Sequence, residues 1–95
     1  MKADLLLRER FVISRRAFVE IVIWKLSRPL SECNHPFKYR MAYVANGRCV
    51  LRFDNEVGKG DHQHVNEFEV PYRFTNLTTL QSDFWAIVRR RRRGR

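Results

Sequence analysis

The stretch "FKYRMAYVANGRCVLRFDNE", residues 37–56, decides the fold. Asn46-Gly47 supplies the two positive-φ positions that a two-residue type I′ turn demands, so the flanking runs are predicted to fold back as an antiparallel hairpin. With those two residues as the loop, Ala45 faces Arg48, Tyr43 faces Val50, Met41 faces Arg52 and Tyr39 faces Asp54. The opposite face then carries Val44, Ala42 and Arg40 against Cys49, Leu51 and Phe53, mainly apolar and suited to lie beneath a helix. The face with Tyr39, Arg52 and Asp54 is the more polar. A one-residue slip exchanges the two.

Working toward the N-terminus, "LLLRERFVI" (5–13) and "FVEIVIWKL" (18–26) are rich in branched and aromatic residues and are separated by "SRRA". They predict a first hairpin, although Arg15-Arg16 lacks the glycine or asparagine that pins a tight turn. Between the hairpins, Pro29 and Pro36 mark a loop. Toward the C-terminus, "FEVPYRF" reads as a short strand that Pro71 confines to an edge or bulge. The period then changes: Leu77, Leu80, Phe84 and Ile87 or Val88 recur at helical spacing, with Thr75 or Asn76 as N-cap and arginines at the far end. Trp24 and Trp85 read as core. The expected fold is α+β: an antiparallel sheet of about five strands, mostly a meander, with the C-terminal helix packed on one face and the other face free to bind.

A chain of 95 residues fits one domain, placed at residues 1–88, and its 44% hydrophobic content is that of a folded protein. The net charge of +9 is concentrated in a basic tail, 89–95: six of the 19 basic residues lie there, leaving 13 bases against 10 acids elsewhere. Such a run suits contact with a polyanion, and equally a solvated end. The two cysteines, Cys33 and Cys49, form no CxxC motif and read as reduced thiols of a cytoplasmic protein. No stretch reaches the roughly 20 apolar residues that span a bilayer.

The chemistry concentrates in "DNEVGKGDHQH", 54–64. His62 and His64 are two apart and, if the segment is extended, point to one side and Asp61 to the other, so a zinc site needs a further ligand such as His35; no metal or cofactor is expected. Gly58 and Gly60 flank Lys59 and could aim N–H groups at a phosphate, but there is no Walker-type motif. Metal-independent RNA cleavage needs a base, an acid and cations: His62, His64 and Asp61 are the catalytic candidates, and Lys59, Arg52 and Asp54 the substrate-binding ones. Tyr39 and Tyr43 could stack on bases, and Arg40 and Lys38 hold a backbone. The same letters also suit a wet polar turn, so cleavage, binding and plain turn stay open on the residues alone.

Together "FVEIVIW" (18–24), "HPFKYRMAYV" (35–44), "NGRCVLRFDNEVGKGDHQH" (46–64), "PYRF" (71–74) and "LQSDFWAIV" (80–88) make the chain resemble the TumE-type toxin family of toxin-antitoxin modules, over about residues 5–88. The resemblance implies a small intracellular toxin inhibited by a cognate helix-turn-helix antitoxin, with an RNA-directed nuclease as the activity. Arg15-Arg16 stands where the family pattern leads one to expect Asp-Gly, and the final arginine run lies outside the pattern. A non-catalytic module binding nucleic acid or protein is the alternative.

Overall fold

The computed structural model describes residues 2–93; Met1 and the end of the arginine run, Gly94 and Arg95, lie outside the described residues. Six strands, β1 (Ala3–Ser14), β2 (Ala17–Leu26), β3 (Phe37–Ala45), β4 (Arg48–Glu56), β5 (Gly60–Val65) and β6 (Phe68–Pro71), precede one helix, α1 (Leu77–Arg93). Each strand pairs antiparallel with the next, giving a single meander in the order β1-β2-β3-β4-β5-β6. The count exceeds the expected five or so by β5, which lies in the charged stretch that also suited a polar turn. Its polar residues conceal the alternation that usually marks a strand.

Asn46 and Gly47 both take positive φ, 54° and 76°, as the type I′ turn requires. The register expected beyond it needs correction. Ala45 faces Arg48 and Val44 faces Cys49, but then the pairing shifts, so that Tyr43 faces Leu51, Met41 faces Phe53, Ala42 faces Arg52 and Arg40 faces Asp54. Val50 is the extra residue of a β-bulge, and its carbonyl accepts a hydrogen bond from Asn66 N–H at 3.1 Å. The cause is burial. An unbroken ladder would set Tyr39, Met41 and Tyr43 on one face and Leu51 and Phe53 on the other, whereas the bulge gathers all five on one. Each large apolar side chain so buried contributes about 1.5–3 kcal/mol, which outweighs one disturbed ladder position.

Val19, Ile21 and Ile23 join those five from β2, and Leu80, Phe84 and Val88 of α1 close over them. Phe84 packs edge-on against Phe53, with ring centroids 5.5 Å apart. Asn76 caps the helix: its Oδ1 accepts the Thr79 N–H at 2.8 Å and its carbonyl the Leu80 N–H at 3.0 Å. Val88 rather than Ile87 takes the innermost position, and the helix runs on unbroken through Arg93. Trp85 packs half-buried between Phe11 and Phe84. Trp24, read as core, lies half-buried opposite Lys38, on the face that α1 does not cover.

Asn55 is a buried polar residue with a structural reason. Past Arg40 the backbones of β3 and β4 no longer pair, and the Asn55 side chain continues the ladder: Oδ1 accepts Tyr39 N–H at 3.0 Å and Nδ2 donates to the Phe37 carbonyl at 2.7 Å.

Candidate functional site

The β4, β5 and β6 register builds two rows across the face opposite α1. Arg40, Asp54 and His62 form one; Ala42, Arg52, His64 and Glu69 form the next. Directly opposed residues share a face, so the bulge at Val50, by turning Leu51 and Phe53 toward the helix, turns Arg52 and Asp54 to the open side. His62 and His64 follow by the two-residue period of β5.

Their functional atoms converge. His62 Nε2 lies 2.7 Å from Asp54 Oδ1 and 3.2 Å from Glu69 Oε2. His64 Nε2 lies 3.1 Å from the same Glu69 oxygen. Arg52 Nε stands 3.1 Å from Asp54 Oδ2, and Lys59 Nζ reaches Glu69 Oε2 at 2.7 Å. The Lys59 ammonium, hydrogen-bonded to Glu69, holds that carboxyl below its usual range, and Glu69 in turn raises Lys59. The interior of the group is dry and its rim is wet: the His62 side chain is 4% exposed and that of Asp54 10%, against 34% for Glu69 and 49% for Lys59. Only Glu69, His64, Arg52 and Lys59 are therefore reachable by a large substrate.

Closeness does not make these contacts good hydrogen bonds. Arg52 Nε, Asp54 Oδ1, His62 Nε2 and His64 Nε2 are all buried, yet none has an aligned hydrogen-bond partner. Their charged neighbours at 2.7–3.1 Å hold them by electrostatics rather than by aligned hydrogen bonds, and four such atoms lie together on one face. The other nitrogen of His62 is accounted for: Nδ1 is 3.2 Å from the Gly60 carbonyl, to which it can only donate, so Nε2 is the ring nitrogen that faces Asp54 and Glu69.

Not all the sequence candidates join this group. Asp61 and Tyr39 lie on the helix side of the sheet, and Tyr39, expected on the polar face to stack on bases, is 1% exposed. The bulge is the reason, since Tyr39 shares its face with Met41 and Phe53. There Asp61 Oδ2 accepts both the Tyr39 hydroxyl at 2.6 Å and His35 Nε2–H at 2.8 Å, while His35 Nδ1 accepts Phe37 N–H at 3.2 Å. Burial and the Asp61 carboxylate keep the Tyr39 phenol protonated far above its ordinary value. Burial, then the same carboxylate, push the Cys33 thiol up to about 11, so it is no nucleophile at neutral pH. Tyr43 is likewise core, while Arg40 is exposed beside Asp54 and Lys38 donates to the Asn55 carbonyl. Glu69 is the residue that sequence reasoning missed. Its signal was Asn66, whose φ of 56° makes the turn that sets Glu69 directly opposite His64.

No helix among the described residues is long and apolar enough to cross a membrane. Searches of curated proteins and of solved structures return no match to the chain. A family model described as Toxin TumE does match, over residues 2–92, and it spans both the β4–β6 cluster and the helix that covers the other face. On that match, which takes in nearly the whole chain, the protein belongs to the TumE toxin family.

Proposed function

We propose that the chain is the toxin of a toxin-antitoxin module, acting in the cytoplasm on RNA by phosphodiester cleavage and restrained by a helix-turn-helix antitoxin. The observation that carries this reading is the convergence of Asp54, His62, His64 and Glu69 on an uncovered sheet face, with Arg52, Lys59 and Arg40 around them. Cleavage of RNA needs a base to take the 2′-hydroxyl proton, an acid to protonate the leaving 5′-oxygen, for which the partly exposed His64 is placed, and cations to hold the phosphate. Glu69, ionised beside Lys59 and exposed, suits the first task; Lys59 and Arg52 suit the last. His62 is too enclosed to meet substrate and serves to position Asp54 and Glu69.

The test is controlled expression without antitoxin, followed through growth and RNA integrity, for wild type, Glu69→Gln and the double variant His62→Ala/His64→Ala. The wild type should arrest growth and fragment RNA. Loss of a proton-transfer group should slow cleavage by about 10²–10⁴-fold in variants whose circular dichroism remains native. Intact RNA under wild-type arrest overturns the reading. In that event a non-catalytic grip becomes the better one, for which the exposed arginines at the end of α1 are the specific support; RNA binding that falls steeply with salt would mark it.

A further inference from the structure

We propose that Asp54, His62 and His64 bind one divalent first-row transition-metal ion, where the sequence alone led to the expectation of none. Each of the three residues offers one ligand atom, and these lie within 4.8 Å of one another; Asp54 Oδ1, His62 Nε2 and His64 Nε2 are the atoms that face the cluster. These are the same three ligand atoms that are buried without an aligned hydrogen-bond partner. A shared ion explains both facts at once. Ligands about 2.0–2.2 Å from a metal sit roughly 3–3.5 Å from one another, so lone pairs aimed at the ion are not aimed at each other. His62 Nε2 and Asp54 Oδ1 are already 2.7 Å apart, close enough to be drawn onto one centre by small side-chain rotations.

The surroundings are those of a ligating set. His62 is 4% exposed, and its Nδ1–H is tied to the Gly60 carbonyl, the second contact that holds a metal-binding imidazole in the right tautomer. Arg52 Nε stands 3.1 Å from Asp54 Oδ2, which leaves Oδ1 as the oxygen nearest the imidazoles. Two imidazoles and a carboxylate, with no thiolate, suit zinc, iron, manganese or cobalt, and leave open positions. Glu69 Oε2, within 3.2 Å of both imidazole nitrogens, stands beside those positions. Asp54 and Glu69 are balanced in charge by Arg52 and Lys59, so an added divalent ion would leave the cluster positive and attractive to a phosphodiester.

This inference rests on the site assigned above but not on its reaction. The untagged, chelator-treated wild-type chain is titrated with Zn²⁺ and with Co²⁺, followed by calorimetry, by the visible spectrum of cobalt and by thermal unfolding. One equivalent should bind, with a raised unfolding midpoint and a cobalt spectrum lacking a sulfur charge-transfer band. His64→Ala and Asp54→Asn, confirmed folded by circular dichroism, should bind more than tenfold more weakly; Cys33→Ser should bind like wild type. The serine variant separates this site from the Cys33, His35 and Asp61 group on the helix side, whose ligand atoms also cluster. No saturable binding, equal binding by the His64 and Asp54 variants, or loss of binding in Cys33→Ser would each overturn the proposal, whatever happens to RNA. Conversely, a metal-loaded chain that leaves RNA intact counts against cleavage and not against the ion.

Discussion

Gly60 ties the candidate site to the loop that packs beneath it. It takes φ of 78°, and a Cβ there would stand 2.9 Å from the Glu32 backbone oxygen. Gly58 takes nearly the same φ, 79°, with open space around it. Gly58→Ala should therefore cost only the left-handed conformation, about 1–2 kcal/mol, while Gly60→Ala adds a clash with backbone that cannot rotate away. Denaturant titration of the two variants should place Gly60→Ala clearly the less stable, and equal values would refute the close approach. The His62 contact to the Gly60 carbonyl should suffer with it. Both glycines were legible as turn formers in "EVGKGD", but the difference between them was not, because Glu32 is 28 residues away in the chain.

At the scale of elements, the helix was the most readable part and the second hairpin the most instructive. Leu80, Phe84 and Val88 at four-residue intervals announce one buried face, and Asn76 is the cap that starts it. Asn76→Ala should lose about 0.5–2 kcal/mol, and Phe84→Ala about 3–5 kcal/mol because Phe53 and its neighbours cannot refill the space. Thermal unfolding of both variants checks the ranking. The hairpin turn was equally plain in Asn46-Gly47, and the faces of β4 were as expected, yet those of β3 were exchanged, since turn chemistry reports only the register next to the loop. The correction was present in "LRFDNE" itself: Leu51 and Phe53 alternate with Arg52 and Asp54, and matching them to Tyr39, Met41 and Tyr43 demands a bulge. Strand β5 stayed hidden because its buried residue on the open side, His62, is polar.

For the molecule as a whole, alkaline conditions probe the buried polar groups on the helix side. Cys33 is raised from its ordinary 9.0 to about 11, and Tyr39 is raised further still, so the folded state holds both protons more tightly than the unfolded one. Their contribution to stability is complete below pH 9.0 and falls as pH rises toward about 11 and beyond, where the unfolded chain alone gives up its protons. Chemical denaturation between pH 7 and 11 should show that decline beginning near 9, and Cys33→Ser should shift the onset upward. An alkylating reagent at pH 8 should label exposed Cys49 and spare Cys33. The general architecture was readable from pattern alone. Which polar side chains meet was not, because it depends on one extra residue, Val50, in one strand.

The meander also orders events in time. Every strand finds its partner immediately behind it in the chain, so during synthesis the loops that must close are short and their entropy cost is small. All six strands, and with them every member of the β4–β6 cluster, emerge before α1 does. What the nascent sheet lacks is a lid for Tyr39, Met41 and Phe53, which only Leu80, Phe84 and Val88 provide. The turns of α1 thus decide when the sheet becomes a stable body, and a chain cut short before them has the β4–β6 side chains in sequence but no platform to hold them.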